Sequence, residues 1–341
     1  MSIGRLTKNS KLSKITNNYN SGIQFTHSGS ESTDGDYTVI TFTSSEDVTF
    51  DLGKYTRSNE IRGVAGVSTF EYLVVAGGGG GGSGPNAGGG GGGGVRSNHF
   101  SMPSPLIAPS QDFSSAPNTT GIVTVTVGSG GGQSSNGGTS KIATPFMESS
   151  VTGGGTGGNN PGGSGGGANY PGGTGGSGTA GEGNAGGTPA RGANHNGTNN
   201  NSAGGGGGAS AAGTPGLTGS TNPGAGGAGL DVTITGSPYV YASGGGGGGG
   251  KSWVQWYGRG HDPVSTYPGG YAGNGGTGAG RGAASDPNAN GPRTSTAGSN
   301  YGAGGGGGCQ QGHPMSPRKG SAQNGSAGAD GVVIVKHVTA V

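Results

Sequence analysis

Gly245 to Gly250 followed by Lys251 and Ser252 is a literal fit to the phosphate-binding pattern G-x-x-x-x-G-K-[ST]. In such a loop backbone N–H groups cradle the phosphates, the lysine adds charge, and a following helix turns its N-terminal amides to the ligand. Here the following residues, Trp253-Val-Gln-Trp-Tyr-Gly-Arg-Gly-His-Asp-Pro263, make a poor helix, and no acidic strand is in evidence to hold magnesium. The fit is therefore read as a product of composition, as are the many G-x-G-x-x-G matches. His27, His99, His195, His261, His313 and His337 lack H-x-x-x-H or paired-cysteine spacing, so no metal site is expected. Serine, histidine and aspartate occur without a nucleophile elbow. The expectation is a protein that binds or scaffolds, with no cofactor and no catalysis.

A different chemistry is suggested by Trp253, Trp256, Tyr257, Arg259, His261, Tyr267 and Tyr271, which gather both tryptophans of an aromatic-poor chain into one segment. Aromatic faces beside Arg and Asp suit stacking on sugars or filling a protein pocket, and equally suit capping the end of a packed unit or meeting a neighbouring subunit. The segment His99 to Phe113, with Phe100, Met102, Leu106 and Ile107, would be its neighbour if both turns lie at one end. The candidate receptor or partner contacts are Trp253, Trp256, Tyr257, Arg259, His261, Tyr267, His99, Phe100 and Met102.

Elements able to hold these residues must be built from an unusual chain. Glycine supplies 92 of 341 residues and charged side chains only 9%, so a conventional apolar core of full size is not available. Strand-like runs are Tyr37 to Thr43, Val48 to Leu52, Phe70 to Val75, Ile122 to Val127, Leu230 to Ile234 and Val332 to Val335, rich in β-branched and aromatic residues. Ile122, Val123, Val125 and Val127 with Tyr72, Val74, Ile334 and Phe42 predict one modest antiparallel sandwich, the last strand returning to pair with the early ones. Helix signals are nearly absent. The β-structure is expected over 23–75, 121–145 and 331–338, with the glycine tracts of 76–120 and 146–330 inserted between its strands.

The tracts carry a period of three. Gly163, Gly166, Asn169, Gly172, Gly175, Gly178, Gly181, Asn184 and Gly187 form one restricted edge, while the other two phases admit Pro171, Tyr170, Thr174, Glu182 and Ala185. Three residues per turn is the repeat of a polyproline-II-type helix, so this edge is where a neighbour comes close. Runs such as Gly77 to Gly82, Gly88 to Gly94 and Gly244 to Gly250 place glycine in every phase, as a helix surrounded on all sides requires. The expectation is a bundle of polyglycine II helices, each tract of roughly ten to twelve residues spanning ~30–37 Å. The variable segments between tracts are its end turns.

Net charge is +2, which gives little reason to expect nucleic acid as a partner. Arg5, Lys8, Lys11 and Lys14 make residues 1–22 a basic tail or attachment segment. Cys309 stands alone, no apolar run approaches a membrane span, and the N-terminus lacks a signal-peptide core. Low charge and exposed glycine edges favour self-association into a homo-oligomer such as a trimer.

The succession Asp36-Tyr-Thr-Val-Ile-Thr-Phe-Thr43, Phe70-Glu-Tyr-Leu-Val-Val-Ala-Gly-Gly-Gly79, Val123-Thr-Val-Thr-Val-Gly128 and Gly331-Val-Val-Ile-Val335 resembles the glycine-rich domain of phage tail-fibre and other virion-associated proteins, over about residues 20 to 338. The bundle is similar to that of tail-tip adhesins of T-even-like phages, in which loops joining polyglycine II helices contact the host receptor. A like β-domain with polyglycine insertions occurs in anaplastic lymphoma kinase-type receptors. The chain departs from the adhesin pattern in its returning C-terminal strand. The resemblance implies a virion protein, made in the host cytoplasm, whose bundle-end loops recognise a host glycan or outer-membrane protein while N-terminal residues contact other virion proteins. The alternative is a purely structural fibre, decoration or cement component.

Overall fold

The computed structural model of the chain describes residues 27–51, 71–84, 86–106, 120–144, 147–191, 200–218, 222–251, 274–283, 294–310 and 322–338. In chain order its strands are β1 (Ser30–Asp34), β2 (Tyr37–Phe42), β3 (Glu46–Asp51), β4 (Glu71–Val75), β5 (Val95–Ser97), β6 (Thr120–Thr126), β7 (Ser140–Thr144), β8 (Met147–Val151), β9 (Ala190–Arg191), β10 (Asn200–Ser202), β11 (Leu230–Val232), β12 (Tyr239–Tyr241), β13 (Gly249–Lys251), β14 (Cys309–Gln310), β15 (Ala322–Gln323) and β16 (Val332–Val338). Among the described residues there is no α-helix.

Two antiparallel sheets, ordered β1-β2-β16-β4-β5 and β3-β6-β7-β8, form the expected sandwich. The last strand lies between two early ones, with Val335 opposite Ile40 on one side and Tyr72 on the other. Because side chains alternate along a strand, Ile40, Phe42, Tyr72, Val74, Val333 and Val335 meet Val48, Val123, Val125, Ile142 and Val151 between the sheets. The opposite face of the first sheet is buried too: Val39, Leu73, Val75, Val332 and Ile334 pack on Leu230, Val232, Ile234 and Tyr241 of the β11–β12 hairpin, with Met102 and Leu106.

Two expected core residues are corrected by this alternation. Ile122 is opposite in parity to Val123 and Val125 and is 60% exposed. Ile334 is buried, but on the hairpin side of its sheet. Strands β5 and β8 lie within residue ranges expected to form the bundle, yet pair into the sheets. Strands β7 and β8, sequences SKIAT and MESSV, carry too few apolar residues to show the alternation in advance.

Strands run straight into glycine segments: β4 into 76–82, β8 into 152–157 and β12 into 242–249. Hydrogen bonding there repeats every three residues. The Gly77 and Gly80 N–H groups donate to the Gly138 and Ser135 carbonyls, those of Gly78 and Gly81 to Ala329 and Ser326, and those of Gly79 and Gly82 to Gly91 and Gly88. The six carbonyls of Gly77 to Gly82 accept in the same rhythm from Gly154 and Gly157, Gly131 and Ser134, and Gly305 and Gly308. Three flanking segments thus accept and three donate, a hexagonal packing of polyglycine II helices. The segment 87–94 is enclosed in the same way by 76–82, 152–155, 164–167, 204–207, 245–248 and 302–308.

Enclosure explains the composition. A Cβ at Gly90 would lie 2.1 Å from the Gly79 carbonyl oxygen, and one at Gly81 would lie 1.9 Å from that of Gly306. Where these segments face solvent they carry Thr174, Ser177, Ala185, Thr214 or Ala228, and a few glycines such as Gly132 are exposed as well. The series from Gly163 to Gly187 is three helices, 162–168, 175–179 and 183–189, separated by turns at 170–171 and 180–182. Inner helices of roughly six to eight residues span ~19–25 Å, shorter than expected.

Candidate functional site

The end of the bundle away from the sandwich is where the chain departs into its most varied segments. Strand β12 enters the bundle at its sandwich end and the same run leaves at β13, where Lys251 pairs with Asn200 and Gly249 donates to the Ala283 carbonyl at 3.1 Å. Asn201 pairs with Arg191, and Gln310 with Ala322 in the adjoining β14–β15 ribbon. Residues 192–199, 252–273, 284–293 and 311–321 therefore begin from neighbouring points. Trp253, Trp256, Tyr257, Arg259, His261 and Tyr267 lie outside the described residues. The phosphate-loop-like string does lie within them at its start. Its Gly245, Gly246, Gly247 and Gly248 N–H groups already donate to the carbonyls of Gly90, Gly280, Gly224 and Ala87, at 2.8 to 3.0 Å. Such amides have no free proton to offer a phosphate.

His99, Phe100 and Met102 are placed elsewhere. Strand β5 leads away from the bundle into this loop, so it sits at the sandwich end, and the condition for its being a neighbour of the Lys251 end is not met. Phe100 is 79% exposed, while Met102 is buried with Leu106 against the first sheet. The His99 ring is fully buried, 4.3 Å from that of Phe100. Its Nδ1 accepts from the Ser101 N–H at 3.2 Å and lies 2.7 Å from Ser101 Oγ, which places the ring proton on Nε2. Nε2 faces Glu71 Oε2 at 3.7 Å, too long for a hydrogen bond. Burial, aided by Lys336 and opposed by Asp34, pushes the imidazole down to about 4. His99 is therefore neutral at ordinary pH.

Beside it runs a row of polar groups that sequence reasoning missed. Lys336 shares the inward parity of Val332 and Ile334, and its Nζ lies 2.8 Å from Asp34 Oδ2 and 4.9 Å from the centre of the Tyr37 ring. Glu71 is its cross-strand partner on β4. Burial raises the Glu71 carboxyl, with the Lys336 charge opposing. The parity of Lys336 in Val-Val-Ile-Val-Lys was the available signal; its partner on β1 had none.

A second missed set is aromatic. The Tyr239 ring lies 4.9 Å from that of Tyr241, which stacks with Tyr301 at 6.5 Å. Tyr239 is 37% exposed, whereas burial holds the Tyr241 hydroxyl well above the usual tyrosine range. Cys309 is buried, its thiol pushed up to about 12 by burial, which makes it a poor nucleophile.

Comparison with known proteins adds one fact to this geometry: the family described as the glycine-rich domain matches residues 56–257, more than half of the chain. The chain belongs to that family. Among curated proteins nothing matches. The glycine-rich domain match includes β4, β5 and the enclosed segments 76–82, 87–94, 162–168, 203–208 and 242–249. The enclosed segment 302–308 and the returning strand β16 lie beyond it.

Proposed function

We propose that this glycine-rich domain protein is an adhesion component of a virion, a phage tail-fibre protein whose loops at the free end of the bundle recognise a host surface receptor. The observation that carries the reading is the common origin of the segments 192–199, 252–273, 284–293 and 311–321 at that end. They leave a lattice whose amides are already bonded to one another, so the platform beneath them is stiff whatever they contact. A preorganised platform lowers the entropy lost on binding. Trp253, Trp256, Tyr257, Arg259, His261 and Tyr267 are the proposed contacts, through many shallow interactions in place of one deep pocket. The partner is a host glycan or outer-membrane protein, and residues 1–22 attach the chain to other virion proteins.

The test is binding of fluorescently labelled purified protein to candidate host cells, beside a variant in which residues 252–268 are replaced by a Gly/Ser turn. The expected result is binding by the intact protein and its loss in a variant that keeps the same unfolding transition. Folded intact protein that binds none of the hosts would overturn the adhesin reading and favour a structural virion component.

A further inference from the structure

We propose that Lys336 and Asp34 are joined by an amide bond between Lys336 Nζ and Asp34 Cγ, formed by the chain itself with loss of one water. The pair joins β1 to β16, 302 residues apart in sequence, with Nζ at 2.8 Å from Oδ2. That places the nucleophile against the carboxyl it would attack. Asp34, Tyr37, Val39, Lys336 and Glu71 form a row on one face of the sheet, set by the registers Asp34 to Tyr37, Val39 to Lys336 and Lys336 to Glu71. Lys336 is 8% exposed and Asp34 is half-buried. The turn between β11 and β12 covers the carboxylate: a Cβ at Gly236 would lie 2.6 Å from Asp34 Oδ1, and Gly236 also has a φ of +86°, so only glycine fits there.

The chemistry balances without a co-reactant. Proton transfer along the 2.8 Å hydrogen bond from Nζ to Oδ2 gives a neutral amine and a carboxylic acid. The amine lone pair attacks Cγ to form the C–N bond. One Asp34 oxygen leaves as water, carrying away protons from the nitrogen and the acid, and the amide keeps one N–H and one C=O. Glu71 is the proton relay, since it faces Lys336 across the ladder and its carboxyl retains a proton to higher pH than usual because it is buried. It gives a proton to the departing oxygen and recovers one from the nitrogen. His99 Nε2 lies 3.7 Å from Glu71 Oε2, and the buried ring packs beside that carboxyl. A bond from the first described strand to the last holds the sheet closed around insertions that have few side chains to anchor them.

Intact mass spectrometry of the full chain under denaturing conditions tests this, followed by tryptic mapping. The expected result is a chain lighter by one water and a single branched peptide containing both Asp34 and Lys336. Lys336→Arg and Asp34→Ala should restore the full mass. A folded Glu71→Gln chain should also have the full mass, and one that still lacks the water overturns the relay. Wild-type protein of full mass, with Asp34 and Lys336 in separate peptides, overturns the bond itself, and this needs no variant to fold.

Discussion

Gly90 donates to Gly305 and accepts from Gly245, and its Cα lies so near the Gly79 carbonyl that a methyl has no room. The obstruction is backbone, which cannot rotate aside as a side chain does. Gly90→Ala is therefore expected to destabilise by about 3 kcal/mol, at the upper range of overpacking. Gly132 has nothing within 4 Å of the same added atom. Gly132→Ala should leave stability unchanged or raise it by ~0.5 kcal/mol, since the unfolded chain loses freedom. Urea unfolding of the two variants is the comparison, and equal midpoints would refute the close-packed lattice. At this scale glycine identity was legible, because phase restriction shows in the sequence. Which glycines face carbonyls and which face solvent was not, since both are written with the same letter.

The loop 98–106 and strands β1, β4 and β16 bring together His99, Glu71, Lys336 and Asp34, and the titration of His99 and Glu71 sets a pH dependence. His99 is depressed to about 4 from 6.5, so the unfolded chain takes up a proton at a pH where the folded one does not. Its contribution is fully present above pH 6.5 and is lost as pH falls toward 4, by as much as ~3 kcal/mol. Glu71 is raised, and so acts oppositely: the folded state gains relative stability as pH falls through its raised value to 4.5. Denaturant unfolding at a series of pH values should show a net fall between pH 6.5 and 4 that is flattened in His99→Gln. An unchanged slope in that variant would count against a buried neutral ring. Strands β2, β4, β6 and β16 were readable from alternation. Strands β7 and β8 were not, because Ser, Lys, Thr and Glu occupy most of their positions, and the pairing of β7 with β6 and of β8 with β7 supplies what propensity does not.

Across the described residues, sandwich and bundle form one hydrogen-bonded body, since β4 becomes 76–82 and β8 becomes 152–157 without a break. Each lattice hydrogen bond is worth only about 1 kcal/mol net, but an enclosed amide exchanges with solvent only when its neighbours separate. The amides of Gly79, Gly90, Gly206 and Gly305 are thus expected to be protected from hydrogen exchange as strongly as those of Leu73 and Ile334. Exchange of the glycine amides within seconds, with the strands still protected, would mean that the tracts behave as linkers. At this scale Phe100 stands at the sandwich end and Lys251, the last described residue before Ser252, at the other.

By itself the sequence determined the class of structure. Alternation in Tyr37 to Phe42 and Val332 to Val335 specifies strands, and a three-residue restriction on glycine specifies helices that pack at backbone distance. Both are local periodicities, which a chain displays in the order in which it is written. Only the tertiary structure decided that 76–82 lies between 135–138, 326–329, 88–91, 154–157, 131–134 and 305–308, that helices end after six to eight residues, and that Lys336 meets Asp34. The physical reason is that peptide groups are chemically identical along the chain. A glycine N–H carries no label for the carbonyl it will find, so partner choice is settled by the strands and turns that hold the segments in register.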